Sequence, residues 1–245
     1  KFGAKDPRSM TLLFHSQSAG CSLTAQQPEI NIVRVAIQAM AGVLGGTQSL
    51  HTDSMDEALA LPSEKAVQIA LRTQQIIAHE SGVANVADPL GGSYYLEWLT
   101  DDMERQSRDY FDRIESLGGV VSAIEKGFFQ KEIAAAAYKY QQEIDNNERT
   151  VVGVNEFTSN EPVEIPILEM DPEGFERQCK RLKNLRSSRN KARHEASLTA
   201  IEKAAEGDEN LMPHFIEAAK AKATLGEMCD VLRGVFGEYR EGSDF

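Results

Sequence analysis

Two short polar clusters carry the residue types that could bind or transform a ligand. The first is His15-Ser16-Gln17-Ser18-Ala19-Gly20, and the second runs from Gln48 to Glu57 with the sequence QSLHTDSMDE. Both combine amides, imidazoles and hydroxyls, which can donate and accept hydrogen bonds around a large polar ligand. The clusters therefore predict a binding site rather than a site built on one strong acid or base.

Asp53 and Glu57 are the two carboxylates whose spacing stands out, because they are four residues apart. On a helix this spacing puts both on one face, where they could accept hydrogen bonds from a ribose diol. The same stretch also matches a capping box, with Ser54 as the N-cap and Glu57 reaching back. Spacing favours the cap, and the two roles are compatible.

Other chemistries fit the clusters less well. A histidine in an apolar strand, such as His15, is commonly a buried structural residue. A metal site built from His15, His51 and Asp53 is conceivable, but the usual ligand spacings are missing, so no metal site is predicted. The sequence contains neither a serine nucleophile elbow nor a Walker phosphate loop.

The elements that must position these clusters alternate between strands and helices. Short apolar runs predict strands at 10–15 and 47–52 and a weak third strand at 84–87. Helical periodicity predicts helices over 30–44, 56–81 with a kink or restart at Pro62, 94–117 and 120–144. This alternation is typical of α/β folds with a parallel sheet, in which ligands bind at the carboxyl ends of the strands.

The character of the chain changes after about residue 157. A stretch rich in proline and polar residues predicts a linker, and the remainder is helical and highly charged. Within it, residues 177–193 carry eight basic and no acidic side chains. This segment is either a docking face for an acidic partner or phosphorylated ligand, or a solvated helix face, and the solvated face is the commoner case.

Composition limits the class of protein. The 245 residues include 26 Lys and Arg against 38 Asp and Glu, a net charge of −12, which argues against nucleic acid as a partner. Three widely spaced cysteines predict a reducing compartment, and no apolar run predicts a membrane span or signal peptide. The first residue is Lys1 rather than Met, which indicates processing, truncation or a fragment of a longer chain.

Several segments together resemble the methylmalonyl-CoA mutase family, over essentially the whole chain. The most specific is Thr47-Gln48-Ser49-Leu50-His51-Thr52, followed by the run DEALALP at 56–62. Further matching segments are FGAKDPRS at 2–9, SAGCSLTAQQP at 18–28, RTQQII at 72–77, DPLGGSYY at 88–95, TLGEM at 224–228 and VFGEY at 235–239.

The resemblance implies a fold and a place within it. The family's substrate-binding subunit contains a (β/α)8 TIM barrel, and this chain resembles its last strands and helices, over 1–157. Residues 158–170 would be a linker, and 171–245 a helical segment leading to a cobalamin-binding module. The module's Asp-x-His-x-x-Gly motif is absent from this sequence, so another domain or subunit is expected to supply the cobalt ligand.

The resemblance also implies roles for individual residues. His15 and Gln17 match positions that face the substrate and the corrin ring, and Gly20 matches a close approach of backbone to cobalamin. Gln48 matches an amide near the cofactor. Glu57, with Ala58 and Ala60, matches the wall that binds the adenosyl ribose. Asp53 stands where the family usually has Asn, which brings a second negative charge close to Glu57 and is expected to raise one pKa.

The implied activity is an adenosylcobalamin-dependent radical rearrangement of a short acyl-CoA, an isomerase reaction. Interconversion of methylmalonyl-CoA and succinyl-CoA is favoured, and isobutyryl-CoA, 2-hydroxyisobutyryl-CoA and ethylmalonyl-CoA remain open. The expected partners are acyl-CoA, a cobalamin-binding subunit or domain, and the first part of the barrel. The expected location is the cytoplasm, or the mitochondrial matrix in a eukaryote. The alternative from another class is a non-catalytic half-barrel that binds a cobalamin protein.

Overall fold

The computed structural model of the protein describes residues 3–240 and divides the chain into two compact units between Glu169 and Met170. The predicted division into 1–157, 158–170 and 171–245 stays a prediction. Its outermost residues, 1–2 and 241–245, lie outside the described part.

In its described residues, 3–169, the first unit contains a two-stranded parallel sheet and five α-helices. Strands β1 (His15–Gln17) and β2 (Ser49–His51) pair with His15 opposite Ser49 and Gln17 opposite His51. The helices are α1 (Asn31–Leu44), α2 (Glu64–Glu80), α3 (Tyr94–Ser116), α4 (Val120–Glu125) and α5 (Phe128–Asp145). The α-rich architecture with parallel strands is compatible with part of an α/β fold.

Helix α1 follows β1 and covers one side of the sheet. The side chain of Leu50 points towards α1, where a Cβ added at Gly42 would lie 3.5 Å from Leu50 Cδ1. Val35 and Ala39 of α1 are buried, as are Ala66, Ala70 and Ile77 of α2. The hydrophobic core of this unit therefore lies between the sheet and these two helices.

The opposite side of α1 is apolar but exposed. Val33 is 57% exposed and Ile37 67% exposed, although both belong to the apolar positions that predict the helix. Leu12 and Leu13, just before β1, are 75% and 77% exposed. The described residues thus leave uncovered two apolar surfaces of the kind that α/β folds normally bury.

Several of the predicted elements differ from the structure, among them the helix predicted over 56–81, which begins only at Glu64. The first strand begins only at His15, because residues 7–10 form a 3-10 turn capped by Asp6, and the backbone N–H of Phe14 donates to the Gln48 side chain. The weak third strand is wrong: Val83–Asn85 is a 3-10 turn entered through Gly82 at φ 74°. The helix predicted over 120–144 is two helices, because Gly127 adopts φ 66° between them.

Over residues 170–240, the second unit contains four helices, α6 (Gly174–Ser188), α7 (Lys191–Ala205), α8 (Leu211–Lys220) and α9 (Leu225–Phe236). Its core is small, with Ile201 and Ala204 of α7 and Ala218 of α8 buried. The basic segment 177–193 is not one helix, since α6 ends at Ser188 and Asn190 caps the start of α7.

Several basic residues of that segment pair with carboxylates of the same unit. Arg189 donates two hydrogen bonds of 2.7 Å to Glu227, and Arg193 lies 3.6 Å from Glu217. These ion pairs favour the solvated-face interpretation of the segment. Among the described residues, no helix is both long and apolar enough to cross a membrane.

Candidate functional site

The exposed face of the two-stranded sheet is the candidate site. Side chains alternate along a strand, so His15 and Gln17 of β1 lie on the same face as Ser49 and His51 of β2. All four are exposed, whereas Ser16 and Leu50 on the α1 side are half-buried. The polar face is therefore the face that α1 and α2 do not cover.

The strands begin later than expected, which changes where the polar clusters lie. The first cluster is largely β1 itself rather than a turn that follows it, and Gln48 lies just before β2. His15 and Gln48 thus occupy the amino end of the sheet. His15 Nδ1 is 2.8 Å from Ser49 Oγ, while the Gln48 amide accepts from Phe14 N and donates to Gly46 O.

At the carboxyl end, the structure brings Gln17, Gly20, Asp53 and Glu57 together. Gln17 Nε2 donates to Asp53 Oδ1 at 3.0 Å. A Cβ added at Gly20 would collide with Glu57 Oε1 and lie 3.8 Å from Asp53 Oδ2. The two carboxylates therefore converge on one point beside the Gly20 backbone.

A set of backbone contacts fixes this end of the site. The N–H of Ser18 donates to the His51 carbonyl at 3.1 Å, and the Ser18 hydroxyl accepts from the N–H of Asp53 at 2.8 Å. The buried Asn31 side chain donates to the Met55 carbonyl at 2.9 Å. These hydrogen bonds tie the turn that carries Asp53 and Glu57 to β1 and to the start of α1.

That turn is not the start of a helix. Residues 55–59 form turns, and α2 begins at Glu64 with the Ser63 hydroxyl accepting from Ala66 N. The capping-box interpretation of Ser54 and Glu57 is therefore wrong, because Pro62 separates them from α2. Ala58 is exposed and Ala60 half-buried on the same turn, following Glu57.

Asp53 is buried and incompletely satisfied. Its side chain is fully shielded from solvent, and its Oδ2 has no hydrogen-bond partner. His51 Nε2 lies 3.7 Å from Asp53 Oδ1, too far for a hydrogen bond but close enough for a charged imidazolium to attract the carboxylate. An unsatisfied buried acceptor is costly, so a donor is expected at this atom.

The electrostatics of Glu57 follow from this arrangement. Burial raises the pKa of Glu57 above its usual value, and the nearby charge of Asp53 raises it further. The direction of this pKa shift is the one that the sequence predicts.

Among residues 3–240, no group of three or more metal-binding side chains is present.

The sequence places Ser49, His51 and Ser18 within the two polar clusters but assigns none of them an individual role in binding. Ser49 and His51 lie on the polar face, and the period of two along β2 could have identified them. Ser18 contributes through a buried hydroxyl that bonds backbone. No sequence pattern distinguishes such a hydroxyl from an ordinary turn serine.

Together, the parallel strands and the covering helices define part of an α/β fold whose uncovered strand face is polar. Comparison with known sequences is more specific: the family model for methylmalonyl-CoA mutase matches residues 1–238. The chain belongs to the methylmalonyl-CoA mutase family.

Individual relatives agree with this assignment. The chain is 46% identical over 243 residues to the 2-hydroxyisobutanoyl-CoA mutase large subunit of Aquincola tertiaricarbonis, covering 98% of this chain and 43% of that protein. It is 43% identical over 241 residues to the mitochondrial methylmalonyl-CoA mutase of Homo sapiens, covering 98% and 32%. It is 42% identical over 239 residues to the Escherichia coli methylmalonyl-CoA mutase, covering 97% and 34%. The chain thus spans 32–43% of the length of these relatives.

Proposed function

We propose that this chain is part of the catalytic subunit of an adenosylcobalamin-dependent acyl-CoA mutase, an isomerase that rearranges the carbon skeleton of a short acyl-CoA. The observation that carries the proposal is the polar face of β1 and β2, which holds the matched positions His15, Gln17, Asp53 and Glu57 on or beside one strand surface. Family membership supplies the reaction class.

In this proposal the two strands belong to a (β/α)8 barrel. Barrel strands carry helices on one side and face the barrel interior on the other. The Leu50 side of the sheet packs against α1, and the His15 side is open, as that arrangement requires. The exposed apolar residues Val33, Ile37, Leu12 and Leu13 are the surfaces that neighbouring barrel elements would cover.

The residues present fit an adenosyl group. The exposed Glu57 carboxyl group lies against the Gly20 backbone, in space that a Cβ at residue 20 would fill, and a ribose hydroxyl can donate to it. Gln17 and Asp53 would line the same group, and Ala58 and Ala60 add small side chains to the wall. His15 and Gln48, at the other end of the face, would contact substrate and corrin ring.

The bound cofactor would supply a carbon-centred radical, and the protein would bind, orient and exclude water. Gln17 and Ser49 suit this role, since an amide and a hydroxyl neither titrate near neutral pH nor act as strong nucleophiles unaided. The proposed partners are an acyl-CoA substrate, a cobalamin-binding subunit or domain, and the rest of the barrel. We place the protein in the cytoplasm, or in the mitochondrial matrix of a eukaryote.

The proposed substrate is methylmalonyl-CoA, interconverted with succinyl-CoA. Relatives with this name share 42–43% identity with the chain. The similar identity to a 2-hydroxyisobutanoyl-CoA mutase makes 2-hydroxyisobutyryl-CoA the second candidate. Assay of the complete enzyme with both thioesters and with isobutyryl-CoA, followed by mass spectrometry of the products, decides between them. Rearrangement of none of these would contradict the proposed activity and favour a non-catalytic module.

The role of Glu57 is tested by Glu57→Ala in the complete enzyme. Removing the carboxylate is expected to weaken adenosylcobalamin binding and to lower turnover at least tenfold, because ribose loses a hydrogen-bond partner. Glu104→Gln, on the exposed surface of α3, is the matched control and should leave both unchanged. Unchanged turnover and unchanged cofactor absorbance in Glu57→Ala would contradict the assignment.

A further inference from the structure

The Asp53 and Glu57 carboxyl groups pose a charge problem that the proposed function does not resolve. Both point at the same spot beside the Gly20 backbone, and Asp53 Oδ2 is buried without a donor. Two ionised carboxylates in contact repel each other, and the burial of Asp53 strengthens the repulsion although Glu57 itself is exposed. Aspartic proteases resolve the same problem by sharing one proton between two carboxyl groups.

We propose that Asp53 and Glu57 share one proton at neutral pH, carried by Glu57 and donated to Asp53 Oδ2. Asp53 is then a positioning residue that keeps Glu57 in its protonated form. The shared proton supplies the donor that the buried oxygen lacks, and it leaves the pair with one negative charge. The raised pKa of Glu57 has the direction that this arrangement requires.

The groups around the pair assign the proton to Glu57 rather than Asp53. From β1, Gln17 Nε2 donates to Asp53 Oδ1, which stabilises an ionised Asp53. From β2, His51 lies 3.7 Å from the same oxygen. Its charge lowers the pKa of Glu57, which opposes the larger effects of burial and of Asp53 that raise that pKa. The buried Asp56 on the same turn adds negative charge that favours a protonated Glu57. The remaining neighbour, Gly20, contributes only backbone.

The consequence for the ligand rests on the proposed function, whereas the shared proton does not. A carboxyl group and a carboxylate side by side present one donor and several acceptors, which matches a diol better than two carboxylates do. An asparagine at position 53 would instead donate to Glu57 and leave it ionised. This chain is thus expected to bind the adenosyl ribose in a pH-dependent way.

Infrared spectroscopy of the complete subunit, without cofactor or substrate, tests the shared proton directly. At pH 6, ordinary Asp and Glu side chains, with pKa values of about 4, are ionised. The difference spectrum obtained by subtracting the Glu57→Gln variant from the wild type is expected to contain the carbonyl band of one protonated carboxyl group. Asp53→Asn is expected to lose the same band, and the control Glu104→Gln to retain it.

Two results would overturn the proposal: no protonated band in wild type minus Glu57→Gln, or a band that persists in folded Asp53→Asn. If Asp53→Asn does not fold, Gln17→Met replaces it. Loss of the amide donor should then move the titration midpoint of the band to higher pH, and an unmoved midpoint would contradict the proposal.

Adenosylcobalamin binding to the complete enzyme tests the consequence separately. Affinity of the wild type should fall by up to about tenfold per pH unit above the midpoint of the band, because binding then requires uptake of one proton. Affinity of Asp53→Asn should not follow that midpoint. If the infrared band is present but adenosylcobalamin affinity does not depend on pH, the shared proton is supported and only its effect on ligand binding is contradicted. Absence of mutase activity would leave the infrared result unaffected.

Discussion

At Gly20, a single missing side chain determines how closely two acidic groups can approach the backbone. A Cβ there would collide with the end of the Glu57 side chain, which is flexible and exposed. The glycine therefore matters for where the carboxylate lies more than for folding.

Gly20→Ala tests this distinction. The free energy of unfolding should fall by no more than about 1 kcal/mol, since only a side-chain end has to move. Glu57 should be displaced, and adenosylcobalamin affinity should drop by at least tenfold. Gly226→Ala in α9, where an added Cβ meets nothing within 4 Å, is the control. A strong loss of stability in Gly20→Ala with unchanged affinity would contradict the prediction.

Glu227 differs from Glu57 because its negative charge stabilises the folded second unit rather than lining the candidate site. It accepts two hydrogen bonds from Arg189 and lies 3.3 Å from the buried His194. The Arg189 hydrogen bonds are the largest cause that holds the pKa of Glu227 far below its usual value, and the hydrogen bonds from Thr224 in the capping box act in the same direction. A depressed folded-state pKa stabilises the protein above the unfolded pKa and loses that stabilisation as pH falls.

Glu227→Gln should therefore destabilise the α7–α9 region by about 2 kcal/mol at pH 7, the usual size for hydrogen bonds to a charged group. The difference from wild type should shrink as the pH falls below 4.5, the unperturbed value. Hydrogen exchange of the α7 and α9 peptides in the complete subunit measures it. Glu217→Gln, whose partners are exposed, should change little. A difference that does not vary with pH would contradict the ion-pair account.

At the scale of secondary structure, the start of α2 shows how one hydroxyl defines an element boundary. Ser63 Oγ accepts from Ala66 N, while Pro62 keeps the preceding residues out of the helix. This boundary leaves the Asp53–Glu57 turn free to approach β1.

Ser63→Ala should cost about 1 kcal/mol, the usual penalty for losing an N-cap. Its control is Ser93→Ala at the start of α3, because the Ser93 side chain makes no capping hydrogen bond. Exchange rates of the first turn of each helix report the effect. Equal responses of α2 and α3 would contradict the prediction.

The sequence predicts the long helices well and the strands poorly. Helical periodicity places α1 and α3 within one residue of their observed ends, because amphipathic spacing is a local property. Strand β1 is predicted five residues early, since the apolar run Met10–Phe14 reads as a strand although it has no partner. Strand pairing depends on a neighbouring strand that is distant in sequence. The three residues of β1, His15–Gln17, are polar and carry no local strand signal.

The same contrast applies to the site. Resemblance selects Gln17, Asp53 and Glu57, and their spacing indicates that the two carboxylates interact. Only the folded chain shows that Asp53 is fully buried, because burial depends on how the Ser18 loop closes over it.

At the scale of the whole molecule, the two-stranded sheet has open edges on both sides. Two paired strands cannot form a closed barrel, and unpaired edges of this kind favour association with other strands. The apolar face of α1 is exposed in the same unit.

The 245-residue chain alone is therefore expected to lack mutase activity, even with a cobalamin subunit, and to self-associate. Product formation by mass spectrometry and sedimentation velocity check the two parts of this prediction. Co-expression with the remaining part of the subunit should restore activity and a defined assembly. Activity from the isolated chain would contradict the barrel proposal.

The Ser18 hydroxyl offers a route for redesign. This hydroxyl accepts from the Asp53 backbone N–H and so links the Asp53 turn to β1 without using the side chains on the polar strand face. Residues on that face can therefore be replaced while the contact that holds the turn is kept. A library that randomises Gln17, Ser49 and His51 while retaining Ser18 should keep most members folded. The pocket could then be evolved towards other thioesters without rebuilding the strands beneath it.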